Sequence, residues 1–511
     1  MRITNNMIVN NTKVNMNLNK VNVDIYNNQM SNQKKISRPS DDAIVAIRSL
    51  RLSDNLSEVS QYYEKNIPDA ESWLDVTETA LVNMNKLLND VYKECVNGST
   101  DTLTADNRNA ILKNLQALQD QVYQEGNADY AGRTVFTGYK TNQTLTFTND
   151  ENNTQYTLTE NFTYHDIEET KYHANLVKVP KTAAEIAAGI PTEGVADNTD
   201  PTKSPMPDMI VNERIRLSYD NIDTNPAPEI TVTYKDAAGV DQTQTITATV
   251  TNSKDWETAQ YQIGDNEVLF IQDTGEIIVG KNVSEDLKTN KANIAVEYTK
   301  TGFKKGELRP EHYYDCTKTD TVSGHSVTYT KENQEITYMI SANQLLAINT
   351  QPEEVFDSSI GRDVQELTNI VQAAIDAHAK ITEIKGMMKE AQYEGEEIQA
   401  QLKLWLKAAE KEAAYADDNM QKVYGNYVTK FQNYMTDVNL TITDVGSKAS
   451  RLALTKDRMC SQKSNIEELK STNEDRELSD IVIDYTAAYT AYTASLQAAS
   501  KINSSSLLDF L

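Results

Sequence analysis

Apolar residues at the start of the chain recur at the spacing of a coiled-coil heptad. The repeat steps by seven, four, three and four residues through what we call the N-terminal stripe: Met7, Val14, Leu18, Val21 and Ile25. Polar Asn11, Asn28 and Asn32 occupy the positions that would continue it. Polar residues at such positions cost stability but specify one register and one partner number. We therefore expect this helix to become ordered only when another helix covers it.

The last helical segment carries a second stripe, in which large tyrosines lie beside small alanines. The members of this C-terminal stripe are spaced by four and three residues: Leu478, Val482, Tyr485, Tyr489, Tyr492, Leu496 and Ala499. Small neighbours allow a partner helix to approach closely. Periodicity alone leaves two interpretations open, a core helix of a bundle or a seam between subunits. A weak stripe at each chain end favours ends that cover one another or neighbouring copies.

Helical spacing with few glycines or prolines extends over residues 1–145 and 352–511, which we predict to be N- and C-terminal helical arms. Residues 146–351 are instead rich in Thr and alternate polar with apolar positions, as strands joined by turns do. The predicted fold class is α+β, a helical coiled-coil or bundle rod built from both arms, with a β-rich, surface-exposed domain inserted in the middle. Residues up to about 40 are expected to be disordered until assembly orders them.

The stretch RPSDDA predicts the start of a long helix. Ser40 is the expected N-cap, and Asp41 and Asp42 complement the positive end of the helix dipole. The helix would continue to about Val96. Pro68 lies inside it, and because proline removes one backbone hydrogen bond, a kink is expected just before this residue.

The middle segment contains two predicted hairpins. One has its turn at residues 236–239 and the other at residues 273–275. The same segment is also interrupted by prolines, which suit loops better than a sheet interior. These prolines are Pro180, Pro191, Pro201, Pro205, Pro207, Pro226 and Pro228.

Charge and composition exclude several classes of protein. With 49 Lys and Arg against 75 Asp and Glu, the net charge of −26 would repel a phosphate backbone, so no nucleic acid partner is expected. Neither a cleaved signal peptide nor an apolar run of about 20 residues is present, so no membrane insertion is expected. Cys95, Cys316 and Cys460 are too scattered for a disulfide framework and are predicted to be core residues.

Three patterns in the sequence are candidates for a binding or catalytic site. Residues 275–282 approach the phosphate-binding pattern GxxxxGK[ST], but Asn282 replaces the hydroxyl residue and the intervening residues resemble a strand. His312, Asp315 and Cys316 are metal-ligand types without a second cluster at a recognised spacing. Adjacent carboxylates in the helices diverge by about 100° and suit a solvated surface. We therefore predict that the chain is not an enzyme and has no catalytic residue, metal or cofactor.

Several motifs in the two arms resemble the flagellin superfamily. In chain order they are RPSDDAIVAIRSLRL, NIPDAESWLDVTETALVNMNKLL, AGRTVFTGYKT, DVGSKASRLALTKDRM and the terminal SSSLLDFL. The match covers roughly residues 1–145 and the last 150 residues. The third and fifth motifs resemble those of hook-filament junction proteins in particular.

This resemblance implies a structural subunit of the bacterial flagellum that works in motility. Such a subunit would be exported unfolded by the flagellar type III apparatus, with the help of an export chaperone and without a cleaved signal peptide. It would self-associate in an extracellular ring at the hook-filament junction. Its partners would be hook-associated protein 1 on the hook side and flagellin on the filament side.

Two alternatives remain at this stage. The chain could be a flagellin, which polymerises by itself into the filament. It could also be a β-domain enzyme or adhesin carried on a helical stalk, which a metal, nucleotide or glycan bound to the middle segment would support.

Overall fold

A computed structural model describes residues 5–100, 103–119, 121–172, 177–188, 209–235, 239–259 and 261–504. The helices are α1 Asn5–Asn32, α2 Ala43–Gln61, α3 Ile67–Gly98, α4 Ala105–Gln119, α5 Ala183–Ala188, α6 Ser253–Thr258, α7 Lys281–Thr289, α8 Ser359–Met387, α9 Glu396–Glu474 and α10 Leu478–Ser504. The strands are β1 Asp129–Tyr130, β2 Arg133–Thr134, β3 Glu151–Thr163, β4 Glu168–Tyr172, β5 Ile210–Arg216, β6 Glu229–Lys235, β7 Asp241–Ile246, β8 Thr249–Thr251, β9 Val268–Ile271, β10 Glu276–Val279, β11 Asn293–Phe303, β12 Cys316–Asp320, β13 Ser326–Tyr329, β14 Thr337–Ser341 and β15 Gln344–Ala347. Long helices near both ends and strands between them confirm the predicted α+β class.

Backbone contacts divide the chain into two compact units. The first unit comprises Met1–Glu71, Tyr338–Leu346 and Ala449–Leu511, and the second comprises Ser72–Thr337 and Ala347–Lys448. The composition-based boundaries at 145 and 351 remain predictions. Among the described residues, no helix combines the length and apolar character that crossing a membrane requires.

Helix α2 begins two residues later than the sequence predicts, so the expected Ser40 cap is wrong. Asp42 is the N-cap, and its carboxylate accepts hydrogen bonds from the amides of Ile44 and Val45 at 2.9 and 3.1 Å. The carboxylate of Asp41 accepts instead from the amides of the preceding loop. A carboxylate caps well here because it both bonds free amides and complements the helix dipole.

The helix interruption expected at Pro68 takes the form of a π-helical turn over Tyr62–Asn66. The amide of Ile67 donates to the carbonyl of Tyr62, five residues back, and α3 then begins with Pro68 in its first turn. Proline removes one backbone hydrogen bond from this continuous helix, and the π-helical turn directly before Pro68 is the point where the regular pattern is interrupted. Asn66 also donates its side-chain amide to the carbonyl of Met339 in β14, at 2.8 Å.

Most of the strands form two sheets within the second unit. The six-stranded sheet has the order β13-β12-β3-β11-β6-β7, and the five-stranded sheet has the order β4-β5-β10-β9-β8. Strands β6 and β7 pair antiparallel, as do β9 and β10, which confirms both predicted hairpins. The long pairing of β3 with β11 joins segments more than a hundred residues apart, which no local pattern indicates.

Some predicted features lie outside the described residues. They are the turn residues 236–238, the terminal residues 505–511 and Pro191, Pro201, Pro205 and Pro207. The described Pro180, Pro226 and Pro228 lie in loops, as predicted.

A buried cluster of charges attaches the five-stranded sheet to α8 and α9. Arg214 and Arg216 of β5 are only 6% and 8% exposed, and both contact the carboxylate of Glu366 in α8, at 2.7 and 2.5 Å. Glu366 also accepts a hydrogen bond from the hydroxyl of Tyr427 in α9, at 3.0 Å. Arg216 also pairs with Asp363, which is fully buried. Alternate residues of a strand share one face, so the i, i+2 spacing of the arginines brings both to this site.

Further carboxylates complete the cluster. Arg214 lies 2.8 Å from Glu168 and 2.5 Å from Glu276, so three carboxylates surround one guanidinium. Burial by itself raises the pKa of Glu366, but the charges of Arg214 and Arg216 outweigh it and lower the pKa to about 2. Glu366 is therefore ionised at every pH at which the protein would function.

Candidate functional site

Helices α1 and α10 pack against each other as an antiparallel pair in the first unit. Asn19 contacts Ser495 near the C-terminal end of α10, whereas Gln29 contacts Arg476, which lies just before the helix begins. The facing residues are half-buried or buried and form the inner face of each helix. On α1 they are Val9, Thr12, Met16, Asn19, Val23 and Tyr26, and on α10 they are Ile481, Tyr485, Ala488, Tyr492, Ser495 and Ala499. Both sets alternate steps of three and four, the spacing of a two-helix seam.

The N-terminal stripe lies away from this packing. Met7, Val14, Leu18, Val21 and Ile25 are between 44% and 57% exposed. At about 100° per residue, the stripe and the inner face of α1 point about 150° apart. Helix α1 therefore has two apolar faces, and only the inner one is covered within the described chain.

The C-terminal stripe is divided between two faces of α10. Tyr485, Tyr492 and Ala499 belong to the inner face and are half-buried. The remaining members, Leu478, Val482, Tyr489 and Leu496, are between 41% and 51% exposed. Ile8 of α1 and Ile483 of α10 are also exposed apolar residues that the heptad pattern did not single out. We call the exposed residues of both stripes, with these two isoleucines, the outer surface.

Asn19 lies in the middle of the inner face and was missed by sequence reasoning. Its side-chain amide donates to the hydroxyl of Ser495 at 2.8 Å and to the carbonyl of Ala491 at 3.4 Å. A polar pair inside an otherwise apolar contact favours one alignment, because any slip separates the Asn19 amide from its two acceptors on α10. The sequence feature that could have revealed Asn19 is a second heptad repeat in α1, which is offset from the N-terminal stripe and has a polar residue at its centre.

A short hydrogen-bonded junction connects the other end of this helix pair to the loops beside it. Lys34 forms an isolated antiparallel bridge with Asp475, and its ammonium group lies 2.5 Å from that carboxylate and 3.1 Å from Glu474. Arg476 donates from its backbone amide to the carbonyl of Gln33 and from its side chain to Gln29. The hydrogen bond and charge of Lys34 lower the pKa of Asp475, and the hydrogen bond that Lys34 donates to Asp475 raises the pKa of Lys34. These interactions fix where α1 leaves its loop relative to α10.

The residues considered for chemistry serve the fold. His312 is buried with Nε2 3.1 Å from the carbonyl of Thr144, and burial lowers its pKa to about 4. Cys316 is buried in β12, and burial raises its pKa to about 12. Within the described ranges, no group of three or more His, Cys, Asp or Glu side chains is placed to hold a metal. The prediction that all cysteines are core residues is wrong for Cys460, which is exposed on α9.

The phosphate-binding pattern at residues 275–282 has an unsuitable backbone. Residues Glu276–Val279 form strand β10, as the sequence predicts, and Gly280 precedes α7. A Cβ atom on Gly280 would lie 2.3 Å from the carbonyl oxygen of Gly264. This glycine is therefore explained by the close approach of two backbone segments.

Comparison with known proteins identifies a matching family model and curated relatives. Residues 3–141 match the family model described as the bacterial flagellin N-terminal helical region. Flagellar hook-associated protein 3 of Escherichia coli (strain K12) is 32% identical over 117 residues, which are 23% of this chain and 37% of the relative. Flagellar hook-associated protein 3 of Salmonella typhimurium is 32% identical over 114 residues, 22% of this chain and 36% of the relative.

Solved structures give a looser match. The flagellar junction protein FlgL from Legionella pneumophila aligns over 84% of this chain and 100% of its own, at 8% identity and a TM-score of 0.29, a value that supports no conclusion by itself. The chain spans about a third of the length of the sequence relatives that it matches. The resemblance predicted from the sequence is nevertheless confirmed by two comparisons: residues 3–141 match the model of the bacterial flagellin N-terminal helical region, and the curated relatives are flagellar hook-associated proteins.

Proposed function

We propose that this protein is a structural subunit of the bacterial flagellum that joins the hook to the flagellin filament. It would form an adaptor ring outside the cell, with hook-associated protein 1 on one side and flagellin on the other. An export chaperone would keep it competent for type III export, without a cleaved signal peptide. In this role the chain is not an enzyme.

The exposed apolar side chains of the outer surface are the observation that supports this proposal. Apolar side chains from both ends of the chain are more than 40% exposed on the α1–α10 pair. Large exposed apolar patches are typical of interfaces because their burial is favourable at about 25 cal/mol per Å². A ring subunit needs such faces on its terminal helices, where its neighbours would cover them. In this proposal the exposed members of both stripes would form the contact between chains, whereas Tyr485, Tyr492 and Ala499 of the C-terminal stripe face α1 within the chain.

The test disrupts the outer surface without touching the inner face. Leu18→Glu with Val21→Glu adds two charges to the outer surface, where they would be desolvated against a neighbouring subunit. Asn10→Glu with Asn17→Glu is the matched control, because it adds the same charge at exposed polar positions of α1. Each variant would replace the native gene in the source organism. We expect the first to leave hooks without filaments and flagellin in the medium, and the control to assemble normally.

Two results would contradict the proposal. Filaments of normal length on cells with the Leu18 and Val21 variant would show that the outer surface is not an assembly contact. Purified wild-type protein that polymerised alone into filaments micrometres long would favour the alternative, a flagellin. Circular dichroism and sedimentation of the purified variants would verify that both remain folded and monomeric, since neither alters the inner face.

A further inference from the structure

A large cavity lies in the second unit where α4, α8 and the β-rich region meet. Its volume is about 960 Å³, enough for a molecule the size of a disaccharide or a phosphorylated sugar. Its walls come from the end of α4 and the following loop, the first turns of α8, residues 218–220 after β5, and residues 304–308 after β11. The proposed assembly role does not use this cavity.

The first turn of α8 is fixed against the cavity wall. The hydroxyl of Tyr123 accepts a hydrogen bond from the amide of Gly361 at 2.8 Å and lies 3.0 Å from the carbonyl of Asp357. A Cβ atom on Gly361 would lie 2.8 Å from the ring of Tyr123, so a glycine is needed at this approach. The next residue, Arg362, is therefore held in place on the wall.

Arg362 has unused hydrogen-bonding capacity. Its side chain is 16% exposed, one terminal nitrogen donates to the carbonyl of Thr274, and another lies 3.6 Å from Asp220. Its buried Nε has no hydrogen-bond partner among the described residues. Burial, and then repulsion from Arg216, lower the pKa of Arg362. An anion beside the terminal nitrogens would offset the repulsion from Arg216 and add a charge-assisted hydrogen bond.

The other charges of the cavity leave it positive. Asp220 and Glu307 both line it, but the ammonium group of buried Lys300 lies 3.1 Å from the first carboxylate and 3.5 Å from the second. Lys304 and Lys305 also line the cavity, and no carboxylate of the described chain lies within ion-pair distance of either ammonium group. Three cationic side chains thus converge on one cavity of a protein with a net charge of −26.

We propose that this cavity binds a small anionic molecule that carries a phosphate or carboxylate group. Arg362 would donate from a terminal nitrogen of its guanidinium to one anionic oxygen, and Lys304 and Lys305 would contact others from the mouth of the cavity. The glutamine side chains of α4 and α8, Gln119 and Gln365, offer polar contacts for the uncharged part of the ligand.

The test titrates the full-length protein by calorimetry with four probes at low salt. Inorganic phosphate, citrate and glucose 6-phosphate represent the two anion types, and glucose is the neutral control. We expect saturable binding of glucose 6-phosphate or citrate and none of glucose.

Variants then locate the binding. Lys304→Ala with Lys305→Ala should weaken it by about tenfold or more, because two charge-assisted contacts are lost. Lys235→Ala with Lys281→Ala removes the same charge from exposed positions outside the cavity and should leave affinity unchanged. Arg362→Lys keeps the charge but removes the planar guanidinium with its terminal donors and should also weaken binding. The proposal would be overturned if no anion bound saturably. It would also be overturned if the two double-lysine variants bound the anion with equal affinity.

Discussion

Replacing Glu366 tests whether the buried charge cluster holds the five-stranded sheet to α8 and α9. In Glu366→Gln the side-chain shape remains but the charge is lost. Arg214 keeps Glu168 and Glu276, and Arg216 keeps Asp363, so neither guanidinium is left alone. We expect this variant to unfold more easily at neutral pH, because two buried cations lose a shared counter-ion.

Two estimates of the stability lost in Glu366→Gln agree. The pKa of Glu366 lies at about 2 instead of 4.5. Since one pKa unit corresponds to about 1.4 kcal/mol, ionised Glu366 stabilises the folded state by about 3 kcal/mol. Removing one partner of a buried ion pair generally costs about 3–5 kcal/mol. The remaining carboxylates place the expected loss at the lower end, about 3 kcal/mol.

The pH dependence has a definite sign. Because the folded-state pKa is lowered, the stabilisation is fully present above pH 4.5 and is lost as the pH falls towards 2. The difference between the wild type and Glu366→Gln should therefore be constant from about pH 7 to 5 and shrink below that. In the variant, the contribution of this site no longer depends on pH.

Urea denaturation followed by tryptophan fluorescence measures this effect. Trp73, Trp256 and Trp405 are the three tryptophans of the chain, and all lie in the same unit as Glu366. The signal therefore reports the unit that carries the cluster. Glu285→Gln is the matched control, since Glu285 is exposed on α7. A loss below about 1 kcal/mol, or a difference that persists unchanged to pH 3, would refute the reasoning.

Three further predictions concern other parts of the molecule. Asn19→Leu should stabilise the α1–α10 pair by about 1 kcal/mol and broaden its oligomeric state, because a polar register determinant is lost; thermal melting and light scattering measure both, and a lower melting temperature would contradict this. Gly98→Ala places a Cβ atom 2.0 Å from the ring of buried Tyr424, so it should cost about 1–3 kcal/mol in urea denaturation, whereas a neutral result would show that the ring can move. Deletion of residues 478–511 should leave a soluble monomer with its β-rich region intact but unable to join filaments to hooks; normal filament attachment by this truncation would refute that.

The sequence by itself determined the local elements. Heptad spacing predicted the terminal helices, and alternation with turn residues predicted the pairs β6/β7 and β9/β10. These predictions succeed because hydrophobic periodicity and turn chemistry are properties of neighbouring residues. The order of five motifs along the chain also indicated a resemblance to the flagellin superfamily.

Only the tertiary structure decided which apolar face is covered and which is free. The N-terminal stripe is a valid heptad, yet α10 packs on a second, more polar heptad of α1 that includes Asn19. Both heptad repeats lie on α1, and the spacing of apolar residues alone does not show which of them packs against α10. The same holds for Arg214 and Arg216, whose counter-ion Glu366 lies 150 residues away. Such pairings depend on where long connections bring distant segments, and this information is not contained in any local window of the sequence.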